Sequence, residues 1–333
     1  MLMFCLNKIF LRTNHRLGIV FGAQNDTYLI SSLPKNKKSM KRLSMRKVSL
    51  ILAGTFLFSV ATTSCSKDDT PDVPLPDIGG YSSSDSVAAT NLVAYWNFDG
   101  NKNEIESGTA ATSSENDTYT TGVKGQAIKL DSGYVFYNSI PALNAMTTFS
   151  VSAWVQVRNN FDTLGNAFTS MIFQLSKPNS TFGNINLGLE TNWKPADNDT
   201  LVVHGWYTDP SGGLQDNRND PFGTPAKGVV LDTTGKWINV MMTIDNSTPV
   251  NFRIYANGQE IGAYNERGTN VYTPLTPASV IIGGWLNNVP GQPHTSDEWP
   301  HAFVGSIDQV RVYNKTLSAD EISALYQLEK AGR

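Results

Sequence analysis

Phe149-Ser-Val-Ser-Ala-Trp-Val-Gln-Val157 alternates apolar residues with small or polar ones. Side chains of an extended chain point to opposite faces at every step, so this stretch predicts a half-buried β-strand. Short runs of β-type residues recur outward from it: Leu92–Phe98, Gln126–Leu130, Tyr134–Tyr137, Ser170–Leu175, Ile185–Glu190, Leu201–Tyr207, Trp237–Ile244, Phe252–Tyr255, Glu260–Tyr264, Val280–Gly283 and Phe303–Tyr313. Turn residues divide them, and Asn257-Gly258 is the strongest short hairpin signal. The polar stretches 208–235 and 286–302 read as long loops, which in a compact domain often carry function. Ser318-Ala-Asp-Glu321 is a capping box, and Ile322, Leu325 and Tyr326 follow at helical spacing. Many strands and one terminal helix predict an all-β fold, a two-sheet antiparallel sandwich.

The chain has 333 residues, and its charge is divided. Residues 1–64 hold ten Lys/Arg and one acid, whereas 65–333 hold 16 bases and 28 acids, a net of −12. So acidic a body argues against a nucleic-acid partner and suits neutral or cationic ligands. The two cysteines are Cys5 and Cys65, so no disulfide can close the body and core packing must hold it.

Lys41, Arg42, Arg46 and Lys47 precede the apolar run Val48–Ala61, and Thr62-Thr-Ser64 leads to Cys65. A basic segment, a short apolar run and small residues make a secretory signal over 40–64. The apolar run is too short for a spanning helix, which needs about 20 residues. The cysteine resembles the lipobox cysteine of Bacteroidetes-type surface lipoproteins, with Thr62 where Leu is usual. That resemblance implies acylation of Cys65 and an anchor of more than one acyl chain. Ser66-Lys-Asp-Asp69 resembles an acidic surface-export tag, so the expected location is the outer membrane, exposed on the cell surface. The rest of 65–90, rich in Pro, Gly and Ser, reads as a flexible tether. Residues 1–39 read as an extension upstream of the true start, and 91–333 as the working domain.

Several stretches together resemble the laminin-G-like jelly-roll domains of the concanavalin A-like lectin/glucanase superfamily. They are Leu92-Val-Ala-Tyr-Trp-Asn-Phe-Asp99, Gly125-Gln-Ala-Ile-Lys-Leu-Asp131 with Tyr134-Val135, and Phe149–Val155. The most specific is Gly305-Ser-Ile-Asp-Gln-Val-Arg-Val-Tyr-Asn-Lys-Thr-Leu-Ser318 with Glu321–Tyr326. The resemblance implies a bent jelly roll whose concave face or rim loops bind carbohydrate. It also implies a Ca²⁺ held by Asp99 and Asp308, on the first and last strands. The alternatives are that Asp308 pairs with Arg311 or accepts backbone amides, and that Asp99 caps its turn. Fold alone does not fix activity.

Sugars stack their apolar faces on aromatic rings while polar groups read the hydroxyls. The candidate carbohydrate-binding residues are Trp206, Tyr207 and Asp209, beside His204, and Trp285, Asn287 and Trp299, beside Asn288 and His294. Trp193 is a further candidate, and packing is an equal reading for Trp206 and Trp285. Trp96, Trp154 and Trp237 sit in strand patterns and read as core. The paired-carboxylate motif of jelly-roll glucanases is absent from the sequence, leaving Glu190 with Asp209 or Glu298 as an unpatterned pair. His294 and His301 are too isolated to argue zinc. The leading expectation is a non-catalytic glycan binder working beside surface glycan-utilisation partners. A surface glycoside hydrolase or polysaccharide lyase, and a protein-binding adhesion module, stand as alternatives.

Overall fold

The computed structural model describes residues 74–164, 166–220 and 236–333. All of them belong to one compact unit that starts at Thr70. Cys65, the signal segment 40–64, the extension 1–39 and residues 221–235 lie outside the described residues.

Thirteen strands occur among the described residues. They are β1 (Leu92–Trp96), β2 (Ser113–Thr121), β3 (Gln126–Tyr137), β4 (Phe149–Gln156), β5 (Ser170–Leu175), β6 (Ile185–Leu189), β7 (Val203–Thr208), β8 (Leu214–Arg218), β9 (Ile238–Asp245), β10 (Asn251–Ala256), β11 (Gln259–Glu260), β12 (Val280–Ile282) and β13 (Phe303–Tyr313). Two helices accompany them, α1 (Pro141–Asn144) and α2 (Ala319–Lys330). The hydrogen-bonded order is β11-β10-β9-β4-β13-β3-β12-β5-β6-β7-β8, with β1 also on β13 and β2 on β3. This is a curled antiparallel sheet folded into a jelly roll with one short C-terminal helix.

The curl is built into β3. Its first half pairs with β13 and its second with β12. Between the halves Ser132 adopts φ 55° and Gly133 lets β2 approach. A Cβ on Gly133 would sit 2.4 Å from the Glu115 carbonyl oxygen, so a side chain there would break the bend. The core fills the space inside. Phe149, Val151, Ala153 and Val155 of β4 point into it, and Phe173, Leu187 and Tyr207 belong to the same apolar cluster. The period-two pattern of the β4 sequence is thus a real inside and outside.

The outer face of β4 is covered where α2 lies on it. Ser318 accepts from the Glu321 amide, and the Glu321 carboxylate accepts from the Ser318 amide, as the capping box requires. Ile322, Leu325 and Leu328 then pack with Met241, Tyr255 and Tyr313. Trp154 faces this helix and not the main core. Its ring stacks on Tyr326 at 5.6 Å, and its Nε1 donates to Glu329 at 2.7 Å. Glu329 also accepts from Arg311 Nε at 2.8 Å, and both side chains are fully buried. Arg311 reaches on to Asp85 at 2.6 Å and lies 3.8 Å over the Tyr95 ring.

That contact corrects the expected tether. Ile78 and Tyr81 bridge to each other, Ser84 donates to the Arg333 carbonyl, and Val87 is buried against α2. The packed domain therefore takes in residues from Ile78, ahead of the expected start at Asn91. Three strand expectations also change. β2 and β8 are polar edge strands, and β8 lies within the stretch read as the loop 208–235. The strand expected over Glu260–Tyr264 ends at Glu260, because the Ala263 and Tyr264 amides turn to Asn217 Oδ1. Trp237 is half-buried rather than core.

Candidate functional site

Alternation along β7 decides which aromatic residues can face a ligand. Val203 and Tyr207 belong to the core cluster, and Gly205 abuts Phe252 there. His204 and Trp206 consequently face outward. Tyr207, expected in the site, is a core residue: it is fully buried and its hydroxyl donates to the Asn270 carbonyl at 2.5 Å. Tyr207→Phe should cost about 1 kcal/mol and a few degrees of melting temperature. Glycan binding, measured on the same protein, should not change.

Trp206 lies across β6 at Gly188, where an added Cβ would come within 3.3 Å of the indole. Around it gathers a continuous aromatic set. Phe182 is 6.1 Å from Trp206 and 5.8 Å from Trp285, and Trp285 meets Trp299 edge-on at 5.0 Å. Edge-on pairing of this kind suits the ring quadrupoles. Trp206 and Trp285 are only 5% and 1% exposed, whereas Trp299 is 45% exposed. The buried pair thus supports a single presented ring. Three tryptophans far apart in sequence, read there as two separate groups of candidates, are brought together; Phe182 joins them from the stretch Ser180-Thr-Phe-Gly183, which carries no strand pattern.

A polar row runs beside the aromatic set. The His204 ring lies 3.7 Å from Trp206, with Nδ1 2.6 Å from Glu190 and Nε2 3.3 Å from Asp216. Arg218 reaches Asp216 at 3.4 Å and lies 5.5 Å over Trp193. The hydrogen bond from His204 leads in holding the Asp216 carboxyl below its ordinary range. Asp216 and Arg218 offer an acceptor and a donor at the sheet edge, which hydroxyl recognition needs. Neither was foreseen, since β8 has no apolar alternation to mark it as a strand. Glu190 and Asp216 engage the two ring nitrogens of His204, one each.

The remaining expected residues hold loops. Asp209 accepts from the Ser211 amide and hydroxyl, the Gly213 amide and Gln215, closing the turn into β8. These bonds, the Ser211 hydroxyl first, keep its carboxyl low. Asn287 Nδ2 donates to the carbonyls of Thr295 and Asp297, and Asn288 Nδ2 to that of Pro300. Both asparagines therefore shape the late loop that carries Trp299.

Asp99 and Asp308 grip the same turn rather than each other. Asp308 accepts from the amides of Val123, Lys124 and Gln309, and Asp99 from that of Gln126 at 2.6 Å. Burial pushes the Asp308 carboxyl up to about 7, with those amides pulling it down. Arg311 pairs with Glu329 and Asp85 and not with Asp308. N–H groups turned on a carboxylate present protons where a cation needs lone pairs. Among the described residues no group of three or more His, Cys, Asp or Glu could hold a metal. The corner as built does not fit a shared Ca²⁺. The melting temperature should therefore stay the same in excess chelator; a fall of several degrees, reversed by calcium, would restore the metal.

The Laminin_G_3 family, described as the concanavalin A-like lectin/glucanases superfamily, matches residues 130–323. No curated protein matches the chain. Among solved structures, the binding domain of Paraclostridial Mosquitocidal Protein 1 is 14% identical, with a TM-score of 0.49, over 71% of this chain and 52% of that one. Domain 4 of AbnA, a GH43 extracellular arabinanase from Geobacillus stearothermophilus in complex with arabinotriose, is 19% identical, with a TM-score of 0.46, over 71% and 98%. The botulinum neurotoxin serotype C1 binding domain is 18% identical, with a TM-score of 0.47, over 72% and 52%. The chain spans about half the length of the first and third of these structures.

Proposed function

This chain belongs to the concanavalin A-like lectin/glucanases superfamily, and from that premise we propose that it binds carbohydrate without transforming it. The observation that carries the proposal is the half-exposed Trp299 ring, seated on the buried Trp285 and the half-buried Phe182. A large exposed aromatic on a rigid aromatic base is a poor core residue and a good stacking surface. Trp206, His204, Asp216 and Arg218 supply the neighbouring apolar and polar contacts. The net −12 body favours a neutral or cationic glycan over an acidic one at this surface. Acylation at Cys65 would hold the module at the outer cell surface, beside partners that process or import the glycan.

A glycan-array screen tests the binding role. It uses the full chain carrying Cys65→Ser, so that no acyl group confuses the readout. Binding to a defined set of oligosaccharides, lost in Trp299→Ala, is the expected result. Binding to no glycan would sink the reading. Release of reducing ends from a bound glycan, abolished in Glu190→Gln, would replace it with a hydrolase built on the Glu190–His204–Asp216 row. For the anchor, palmitate labelling in cells should mark the parent chain and not Cys65→Ser.

A further inference from the structure

The Trp299 ring is carried by one loop and supported from another. The loop 176–184 joins β5 to β6 and brings Phe182, and the loop 283–302 joins β12 to β13 and brings Trp285 and Trp299. How the two are fastened decides where the exposed indole points. At the base, the fully buried Gln174 of β5 serves both. Its Nε2 donates to the Thr181 carbonyl at 3.0 Å, and its Oε1 accepts from the Leu286 amide at 2.7 Å. Asn186 accepts from the Gly183 amide and donates to the Gly183 carbonyl, so the backbone is fixed on both sides of Phe182. At the rim, the hydroxyls of Thr181 and Thr295 both donate to Asp297 Oδ2. Thr181 is buried, whereas Asp297 lies on the surface. These hydroxyls, that of Thr181 first, hold the Asp297 carboxyl below its ordinary range. Hydrogen bonds to an ionised acceptor are about twice as strong as neutral ones. Within the late loop, Asn287 donates to the Asp297 carbonyl and Asn288 to that of Pro300. Trp299 therefore stands between two pinned residues. Of these pins, the bond from Thr181 to Asp297 is the one that crosses to the loop of Phe182. A backbone crossing, from the Asn179 amide to the Pro293 carbonyl, lies earlier in the late loop.

We propose that Thr181 and Asp297 are positioning residues for the Trp299 surface: their hydroxyl–carboxylate latch locks the two loops together and holds the indole in the orientation that a sugar ring meets. They act through the indole and not by touching the ligand. The ordering is done on folding rather than on binding, and a side chain already ordered costs the complex less. The effect on ligand affinity rests on the glycan reading above. The effect on the indole does not, so the two can fail separately.

Fluorine NMR of the full Cys65→Ser chain, grown on fluorotryptophan, tests the latch without a ligand. The chain has seven tryptophans, and the Trp299 resonance is the one lost in Trp299→Phe. It should be a single line in the parent. Thr181→Val and Asp297→Ala should each shift, broaden or split it, and Thr181→Ser should keep the parent line. Asp297→Ala is a surface change and should leave the melting temperature close to that of the parent. Titration with cellotetraose, xylotetraose, laminaritetraose and mannotetraose gives the second readout. For each that the parent binds, Thr181→Val and Asp297→Ala should weaken binding about three- to tenfold. Asp297→Ala should add no further loss to Trp299→Ala, because the latch acts through that ring. A Trp299 line unmoved in both latch variants overturns the proposal, whether or not a glycan binds. Parent affinity retained in both variants overturns it as well. So does a further loss on adding Asp297→Ala to Trp299→Ala, since Asp297 would then be a ligand contact in its own right. A displaced Trp299 line with no binding of any of the four sugars would support the latch and count against the glycan reading.

Discussion

Arg311→Met lowers the folding stability of this domain by about 3–5 kcal/mol, because it strands a carboxylate in a dry place. Glu329 is fully buried, and its neighbours are Arg311 Nε at 2.8 Å and Trp154 Nε1 at 2.7 Å. Without the guanidinium, one neutral indole donor is left to a buried anion. For a domain of this size the loss corresponds to roughly 6–20 °C of melting temperature. The pH dependence is diagnostic. Burial leads in raising the Glu329 carboxyl, and Arg311 pulls it down. Removing Arg311 lets it rise further. A carboxyl whose folded pKa exceeds its unfolded one adds stability below the unfolded value and loses it as pH climbs through the folded value. The gap between variant and parent should therefore narrow toward about pH 4 and widen toward about pH 8. Urea titrations at both pH values measure it, and an equal gap would remove Glu329 as the cause. Arg311→Met with Glu329→Leu should regain most of the loss, since an apolar pair in place of a buried ion pair is often neutral.

Trp299→Ala weakens glycan binding by about 10- to 30-fold, or 1.4–2 kcal/mol, with the melting temperature within about 2 °C of the parent. The two halves of that expectation have different origins. Trp299 contributes its exposed face to the ligand, while Trp285 and Phe182 hold its other side. Its own removal uncovers those supports without opening the core. Trp299→Phe keeps a smaller stacking face and should fall between parent and Ala variant. Trp206→Ala is a poorer probe. That ring is 5% exposed and packs on Met171 and Trp285, so truncation should cost about 3–5 kcal/mol of stability. Loss of binding there would not separate contact from collapse. Isothermal titration beside a thermal melt on each variant decides the matter. A Trp299→Ala protein that binds as the parent does would move the site elsewhere.

The sequence made the sandwich legible wherever a strand has one wet and one dry face. Phe149–Val157 and Phe303–Tyr313 state their inside and outside plainly. β2 and β8 do not, because both faces of these edge strands are largely polar. That blind spot hid Asp216 and Arg218, which stand on β8. Trp206 and Tyr207 show a second limit. Neighbours on one strand cannot both face a ligand, although residue type alone makes both candidates. Val203, Gly205 and Tyr207 share a parity, and the apolar Val203 and Leu201 of that parity mark it as the inner one. The metal corner shows a third. One aspartate just past β1 and another inside β13 suggest a shared cation, but the bulge between Asp308 and Arg311 and the tight turn at Val123–Gln126 are backbone events that no side-chain pattern announces.

The clasp formed by Asp85, Arg311 and Glu329 has a mechanical consequence. The stretch leading in from Pro76 and the last residue, Arg333, are fastened side by side: Arg333 donates to the carbonyls of Pro76 and Ser82. Arg311 carries that fastening to β13, which has hydrogen-bonded neighbours on both flanks. A pull on the leading stretch is thus delivered to the middle of the sheet, where many bonds share the load, and not to a margin that could peel strand by strand. A module that grips a large polymer while held from its leading end would meet such loads with every shear of the surrounding fluid.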